Sequence, residues 1–421
     1  MCKCDSVTYS NNPALTFLFA WRYFKAKKTT NAINVIAWIS VGAIVIGTAS
    51  LILVLSVFNG FEGLVKSLYS SFYTDLKVIP ASGKVLRLTP QQLDQIKGTA
   101  GVRNITRIVE EKALLQSGEN QTVAILKAAD DQYRYVTDVA DYMVRGSFDL
   151  GTADEPLLVL GVGLEGALGI LSDQGLFSVR VILPRKGGGE QLDPLEDISI
   201  AEAQPKGSFF IQQDFDNKYA LTNIEFARRA LRMGENEYSA LEIRVTDPAN
   251  PEAAQAAIQQ LLGKNYKVQT RYQQNQSLYS VMNIERWIIY GVLSLILVVG
   301  AFNMIGALTM LVLEKQQDIR ILHAMGASRS FIQRIFLSEG FLLASIGGIA
   351  GMLIALLLAL VQINFHVVKL QGGSFLIDYF PISLRWTDFL LVGGTVFVIA
   401  LLASWIPARK AAQQQTEIRE S

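Results

Sequence analysis

Hydrophobic positions gather into four charge-free runs, residues 29–61, 287–313, 340–368 and 389–408, and the largest polar block, residues 62–286, lies between the first two. A bilayer core takes about 20 consecutive apolar residues of helix, because hydrocarbon offers no partner to an exposed backbone amide or carbonyl. Each run meets that length. The pattern predicts an α-helical membrane protein with four transmembrane helices, at 33–60, 281–313, 331–368 and 389–408, plus a large extracytoplasmic mixed α/β domain.

The periodicity does not stop at the membrane boundary. Phe61, Leu64, Val65, Leu68, Tyr69 and Phe72 recur at helical spacing after the first run, so the first span is expected to continue as a stalk with Phe61, Leu64, Leu68 and Phe72 along one stripe. Leu278, Val281 and Met282 repeat the pattern before the second run and are the expected packing partners, with Gly60 and Gly63 as hinge positions. Between the stalks, strands are expected near 75–80, 121–128, 177–183 and 241–245, and helices near 90–97, 224–233 and 251–262. The order of elements divides the block into a porter-like part, 74–129 and 237–272, and an inserted part, 130–236. Its segment 184–205, glycine-rich and acidic, reads as an exposed loop.

Charge sets the orientation. The net charge is only +1, which gives no reason to expect nucleic acid, whose electrostatic footprint would be a clustered basic face. Arg22, Lys25, Lys27 and Lys28 precede the first span, and Arg409 and Lys410 follow the last; positive-inside bias puts both termini in the cytoplasm. Residues 62–286 and the short loop 369–388 are then outside, and 314–330 and the tail 409–421 inside. Within the N-terminal 32 residues, 15–28 alternate aromatic and basic positions as an interfacial amphipathic helix does. The first run exceeds the apolar core of a cleaved signal peptide, about 7–15 residues, and reads as a retained anchor. Cys2 and Cys4 precede any apolar segment and match neither a lipoprotein signal nor a disulfide framework.

Little in the chain carries covalent chemistry. Gly161, Gly163 and Gly166 spell G-x-G-x-x-G but lack the parallel βαβ repeat and acidic ribose ligand of a dinucleotide site, and read as a strand-to-helix turn. No P-loop motif occurs, so ATP-driven work requires another subunit. His323 and His366 are separated by a span; no metal site, catalytic residue or bound cofactor is expected. No ionisable residue lies deep in a span, which argues against ion translocation. One cytoplasmic segment stands out. Ile319, Leu322 and Met325 recur at helical spacing, Gly326 suits a left-handed helix end, and Ser328 or Ser330 can cap the next helix. A short helix with an apolar side open to a partner follows. Ala43 and Gly47, and Gly347 and Gly351, are small-x-x-x-small pairs permitting close helix approach.

These residues resemble the membrane subunits of MacB/FtsX-type ABC transporters, and within them the lipoprotein-releasing permeases of the Lol system. The resemblance is carried by FAWRYFKAKK at 19–28, LVLSVFNGFE at 53–62, AFNM at 301–304, DIRILHAMGAS at 318–328 and SWIPARKAA at 404–412. It implies a permease subunit of the inner membrane, paired with a second copy or a paralogue and bound to a cytoplasmic ABC ATPase that holds ATP and Mg. Glu314, Lys315, Asp318, Ile319, Leu322, Met325 and Gly326 then belong to a coupling helix seated on that ATPase. The expected cargo is lipoprotein taken from the inner membrane, with a periplasmic lipoprotein carrier among the candidate partners. Lipid is expected where spans one and two reach the outer leaflet, at Ser50, Val54, Val57 and Phe58 on one and Ile289, Leu293 and Ile296 on the other. A MacB-like exporter of peptides or amphiphiles, an FtsX-like regulator of a cell-wall hydrolase, and a ligand receptor are the alternatives; the match at the coupling segment argues against the last.

Overall fold

The computed structural model describes residues 31–174, 178–184, 198–370, 377 and 379–413. The segment 15–28, both cysteines, residues 185–197 of the expected loop and the last residues of the tail lie outside the described residues. In chain order the elements are α1 (Asn31–Phe72), β1 (Leu76–Pro80), β2 (Leu86–Arg87), α2 (Pro90–Lys97), β3 (Val102–Ser117), β4 (Asn120–Ala129), β5 (Met143–Gly146), β6 (Leu157–Gly161), α3 (Val162–Leu168), β7 (Val179–Pro184), β8 (Ile198–Phe209), β9 (Tyr219–Asn223), α4 (Ile224–Leu231), β10 (Glu237–Tyr238), β11 (Ala240–Val245), α5 (Glu252–Leu262), β12 (Tyr266–Thr270), α6 (Gln276–Glu314), α7 (Gln316–Ala324), α8 (Arg329–Phe365) and α9 (Trp386–Gln413); short turns of helix complete the set. The chain divides into two compact units, one built from the long helices and one from Leu64–Ser280.

In the helical unit, α1, α6, α8 and α9 are each long and apolar enough to cross a membrane. Lipid tails are as apolar as leucine, so helices in a bilayer associate through close packing. Small residues supply it here. Gly347 and Gly351 of α8 lie against the backbone carbonyls of Val41 and Val45 of α1, Gly47 of α1 receives Leu297 of α6, and Gly300 of α6 faces Ala43. Leu51, Ile52, Leu55, Leu297, Met304, Leu343 and Ala400 fill the centre.

The second unit is one ten-stranded sheet in the order β12-β1-β11-β3-β4-β9-β6-β8-β5, with β7 bridging β3 and β8. The porter-like and inserted parts share this sheet: β4 pairs in parallel with β9, and the far end of β3 pairs with β7. Helix starts follow local chemistry. Thr89 and Gln92 form a reciprocal capping box ahead of Pro90, and Asn223 caps α4. The free edge of β12 is covered by α5, whose Gln255 and Gln259 amides donate to the carbonyls of Val268 and Tyr266. An edge so occupied cannot recruit another strand.

One expectation needs correction. Residues 198–205 are not loop but the first two-thirds of β8, paired with β7 from Val179↔Ala203 to Pro184↔Ile198. Polar residues on one face do not prevent pairing, because the ladder is made by the backbone. Leu68 and Phe72 of the stalk stripe are buried in the aromatic core of the second unit.

Candidate coupling helix, lipid-facing surface and stalk

The candidate coupling segment folds as α7, and its end has the geometry that its sequence suggests. Gly326 has φ +87°. Its N–H donates to the carbonyl of His323 at 3.0 Å, and the N–H of Ala327 reaches back to Leu322 at 2.9 Å. These are the two bonds of a Schellman motif. Ser328 then accepts from the N–H of Phe331 and starts α8. The reversal leaves a blunt, rigid tip.

The residues of α7 do not all face the same way. Ile319 is buried at 3% exposure and packs with Leu311, Val312, Ile332, Phe336 and Ala408. It anchors the helix to its own bundle and offers nothing to a partner. Leu322 and Asp318 are half-buried, with Asp318 3.4 Å from Lys315. Glu314 ends α6, also half-buried. The exposed apolar side chains are Met325, at 69%, and Ile321, at 57%, beside exposed Gly326. Ile321 was missed because the 3–4 spacing of Ile319, Leu322 and Met325 reads as one stripe; on a helix this short, Ile321 and Met325 form the complementary i, i+4 pair.

Of the seven lipid-facing candidates none is buried: Val54 and Ile296 are exposed, and Ser50, Val57, Phe58, Ile289 and Leu293 are intermediate. On α1 the four candidates fall on one side, while Leu51, Ile52, Leu55, Ser56 and Asn59 face the bundle. Along α6 no residue from 281 to 296 is buried, and the first buried position is Leu297.

Phe61 packs edge-on against Phe380 with ring centroids 5.8 Å apart. Leu64 lines the core that Leu68 and Phe72 enter. Phe72 stacks on Phe215 at 4.4 Å and leans on Tyr219 at 4.5 Å. Its other side meets a buried ammonium: Lys127 Nζ lies 4.6 Å from the Phe72 ring centroid and 5.1 Å from that of Tyr133. Lys127 pairs with Glu242 at 2.9 Å, both side chains at most 2% exposed; Lys77 bridges Glu242 at 3.7 Å and Glu110 at 3.3 Å. Burial pulls the Lys127 ammonium down, but Glu242, Tyr133 and Glu110 together outweigh it and hold the group charged well above the usual lysine range. Burial likewise pushes Glu110 up, and Lys77 and Lys127 more than reverse it. Leu278 and Met282 are half-buried, and Gly63 faces open space.

The G-x-G-x-x-G segment is a strand-to-helix turn, β6 into α3, with Gly161 and Gly163 pressed against Asp216 and Asn217. Side chains at these positions would collide with that segment, which accounts for the glycines without a nucleotide. No cluster of three or more metal-ligating side chains occurs among the described residues.

Residues 37–261 match the MacB-like periplasmic core domain, and residues 290–416 match the FtsX-like permease C-terminal family. The chain therefore belongs to the family of membrane proteins built on the MacB-like periplasmic core domain. Among its relatives, the lipoprotein-releasing system transmembrane protein LolC of Neisseria meningitidis serogroup B is 26% identical over 94% of this chain and 97% of its own length. LolE of Haemophilus influenzae, described in the same words, is 26% identical over 95% of this chain and 97% of its own. The pyoverdine export ATP-binding/permease protein PvdT of Pseudomonas syringae pv. tomato is 24% identical over 94% of this chain but 57% of its own length.

Proposed function

We propose that this chain is the permease subunit of an ATP-driven ABC transporter that extracts lipoproteins from the inner membrane for transfer toward the outer membrane. The observation that carries the reading is the end-to-end match to lipoprotein-releasing transmembrane proteins, which spans the helices and the extracytoplasmic domain alike. These 421 residues contain no P-loop, so ATP and Mg are held by an ATPase outside them and the chain itself is non-catalytic. Charge bias supports cytoplasmic termini and a periplasmic second unit. With that orientation the exposed Ile321, Met325 and Gly326 tip faces the ATPase. A second permease, identical or paralogous, completes the core, and lipoprotein enters between α1 and α6.

An energy source is required on physical grounds. Each buried CH₂ of an acyl chain contributes about 0.8 kcal/mol to anchoring, so a triacylated protein does not leave a bilayer at a useful rate unaided. Relatedness to the pyoverdine exporter supports a second reading, export of peptides or amphiphiles through the same architecture. Affinity purification in mild detergent, followed by mass spectrometry, tests both. Recovery of an ATPase with acylated proteins is expected, and a photocrosslinker at Val57 should capture them before ATP is added and lose them afterwards. An ATPase recovered with small amphiphiles and no acylated protein would favour the exporter.

A further inference from the structure

The outer half of α6 is held differently from the rest of the bundle. From 281 to 296 it buries no residue. Two polar links tie it to α9: Arg286 Nη2 donates to Asp388 Oδ1 at 2.6 Å, and the hydroxyls of Tyr290 and Thr395 meet at 2.5 Å. Tyr290 and Leu293 touch the edge of the bundle core, but close packing onto the glycine of α1 begins only at Ile296 and Leu297, and Gly300 continues it. A helix segment with few buried contacts opens at low cost, whereas its well-packed continuation does not.

Asp388, by contrast, is fixed. It is 2% exposed and lies in the first turn of α9, where the helix dipole favours a carboxylate. Its second oxygen accepts from Asn59 Nδ2 of α1 at 2.5 Å. The segment before α9 straps the same side of α1. Ser383 N–H donates to the carbonyl of Ser56 at 3.0 Å, Arg385 pairs with Glu62 at 3.3 Å, and Gly60 lies so close to the Pro381 carbonyl that a Cβ there would overlap it. Ser56 and Asn59 are buried on the side of α1 that also carries Leu51, Ile52 and Leu55, while Val54 is exposed. α1 and the start of α9 therefore form one body.

We propose that Arg286 and Asp388 are positioning residues: their ion pair is a lock that holds the outer half of α6 against the α1–α9 body and sets the opening between α1 and α6. The exposed Trp287 and Trp386, one and two residues away, mark the level as the membrane interface. Arg286 is 30% exposed and releasable, while Asp388, held by Asn59, stays behind. Breaking the pair frees α6 above Leu297 and widens the passage. The role in admitting cargo rests on the lipoprotein-release reading; the lock itself does not.

The test uses the full chain in nanodiscs, with Cys2 and Cys4 replaced by serine and spin labels at Val54→Cys and Val292→Cys. One narrow distance distribution is expected with Arg286 or Arg286→Lys, and a longer, broader one with Arg286→Gln. Distributions that are the same for Arg286→Gln and Arg286→Lys would overturn the lock whatever the cargo. In parallel, a short bifunctional methanethiosulfonate joining Arg286→Cys to Asp388→Cys should reduce lipoprotein capture at Val57 at least tenfold, with recovery on reduction. Undiminished capture by the linked protein would overturn the role in admission. A changed distance distribution with no lipoprotein captured by any form would leave the lock standing and refute the cargo reading.

Discussion

Replacing Lys127 by methionine isolates the buried charges beneath Phe72. The substitution removes the ammonium that sits 2.9 Å from Glu242, a residue with no exposed surface, and leaves that carboxylate only Lys77 at 3.7 Å. Breaking one partner of a buried pair costs about 3–5 kcal/mol, and the remaining lysine argues for the lower end, about 3 kcal/mol. In a domain of this size each kcal/mol lowers the melting temperature by about 2–4 °C, so a fall of about 6–12 °C is expected. The double change Lys127→Met with Glu242→Leu removes both charges and should return stability to within about 1 kcal/mol of the parent, since well-packed apolar groups replace buried ion pairs at little cost. Thermal unfolding of the four proteins, followed at a probe in the second unit, closes the cycle. The pH dependence has a definite sign. A lysine raised on folding contributes fully below its unfolded pKa of about 10.4, and Glu110, lowered on folding, contributes fully above about 4.3, so the parent's stability from these two groups should be flat between those limits. A single variant within about 1 kcal/mol of the parent would refute the assignment of Lys127 as the compensating charge.

The proposed coupling role of α7 separates two effects: Ile321→Asp with Met325→Asp should abolish co-purification of the ATPase while leaving the melting temperature within a few degrees, whereas Ile319→Asp should destabilise the helical unit by burying an unpaired carboxylate. Undiminished ATPase recovery from the double variant would remove α7 from the interface. Asp216 is pushed up to about 6 by burial, so its contribution is present below about 4 and lost as pH rises through about 6. Asp216→Asn, which keeps the acceptor for the Ile211 N–H, should abolish a loss on the order of 2 kcal/mol between pH 4 and 7, read by unfolding at the two pH values. Gly60→Ala should destabilise by about 1–3 kcal/mol through the Pro381 carbonyl, whereas Gly63→Ala, in open space, should stabilise by about 0.5–1 kcal/mol and leave cargo release unchanged, as a melting and release assay would show.

What was legible in the sequence is what local physics decides. The four apolar helices follow from run length, α2 from Thr89, Pro90 and Gln92, and the end of α7 from Gly326. β1, β4, β7 and β11 follow from apolar alternation. Sixteen-residue β3 was missed because Arg103, Arg107, Glu110, Glu111 and Lys112 interrupt any apolar pattern. Arg103 and Lys112 are exposed, and two of the others find partners across the next turn: Glu110 lies opposite Lys127 in the ladder, and Arg107 meets Asp130 at 2.8 Å. A charged residue reads as loop until its partner is known, and the partner is a tertiary fact.

The same reasoning explains why Arg286 and Asp388 passed unnoticed. Each ends an apolar run, where a charge is ordinarily a headgroup anchor. Nothing local distinguishes them from Arg385 or Lys369. Only the meeting of α1, α6 and α9 shows that one carboxylate serves two spans, with Asn59 and Asp388 329 positions apart. One local sign was available: Asn59-Gly60 stands between apolar Phe58 and Phe61 in a helix that would otherwise favour alanine or leucine. A residue with two amide donors and one with no side chain, together within a span, report a polar partner and a close backbone at the same level of the helix. Helix interiors that carry both should be searched for a strap from a distant loop.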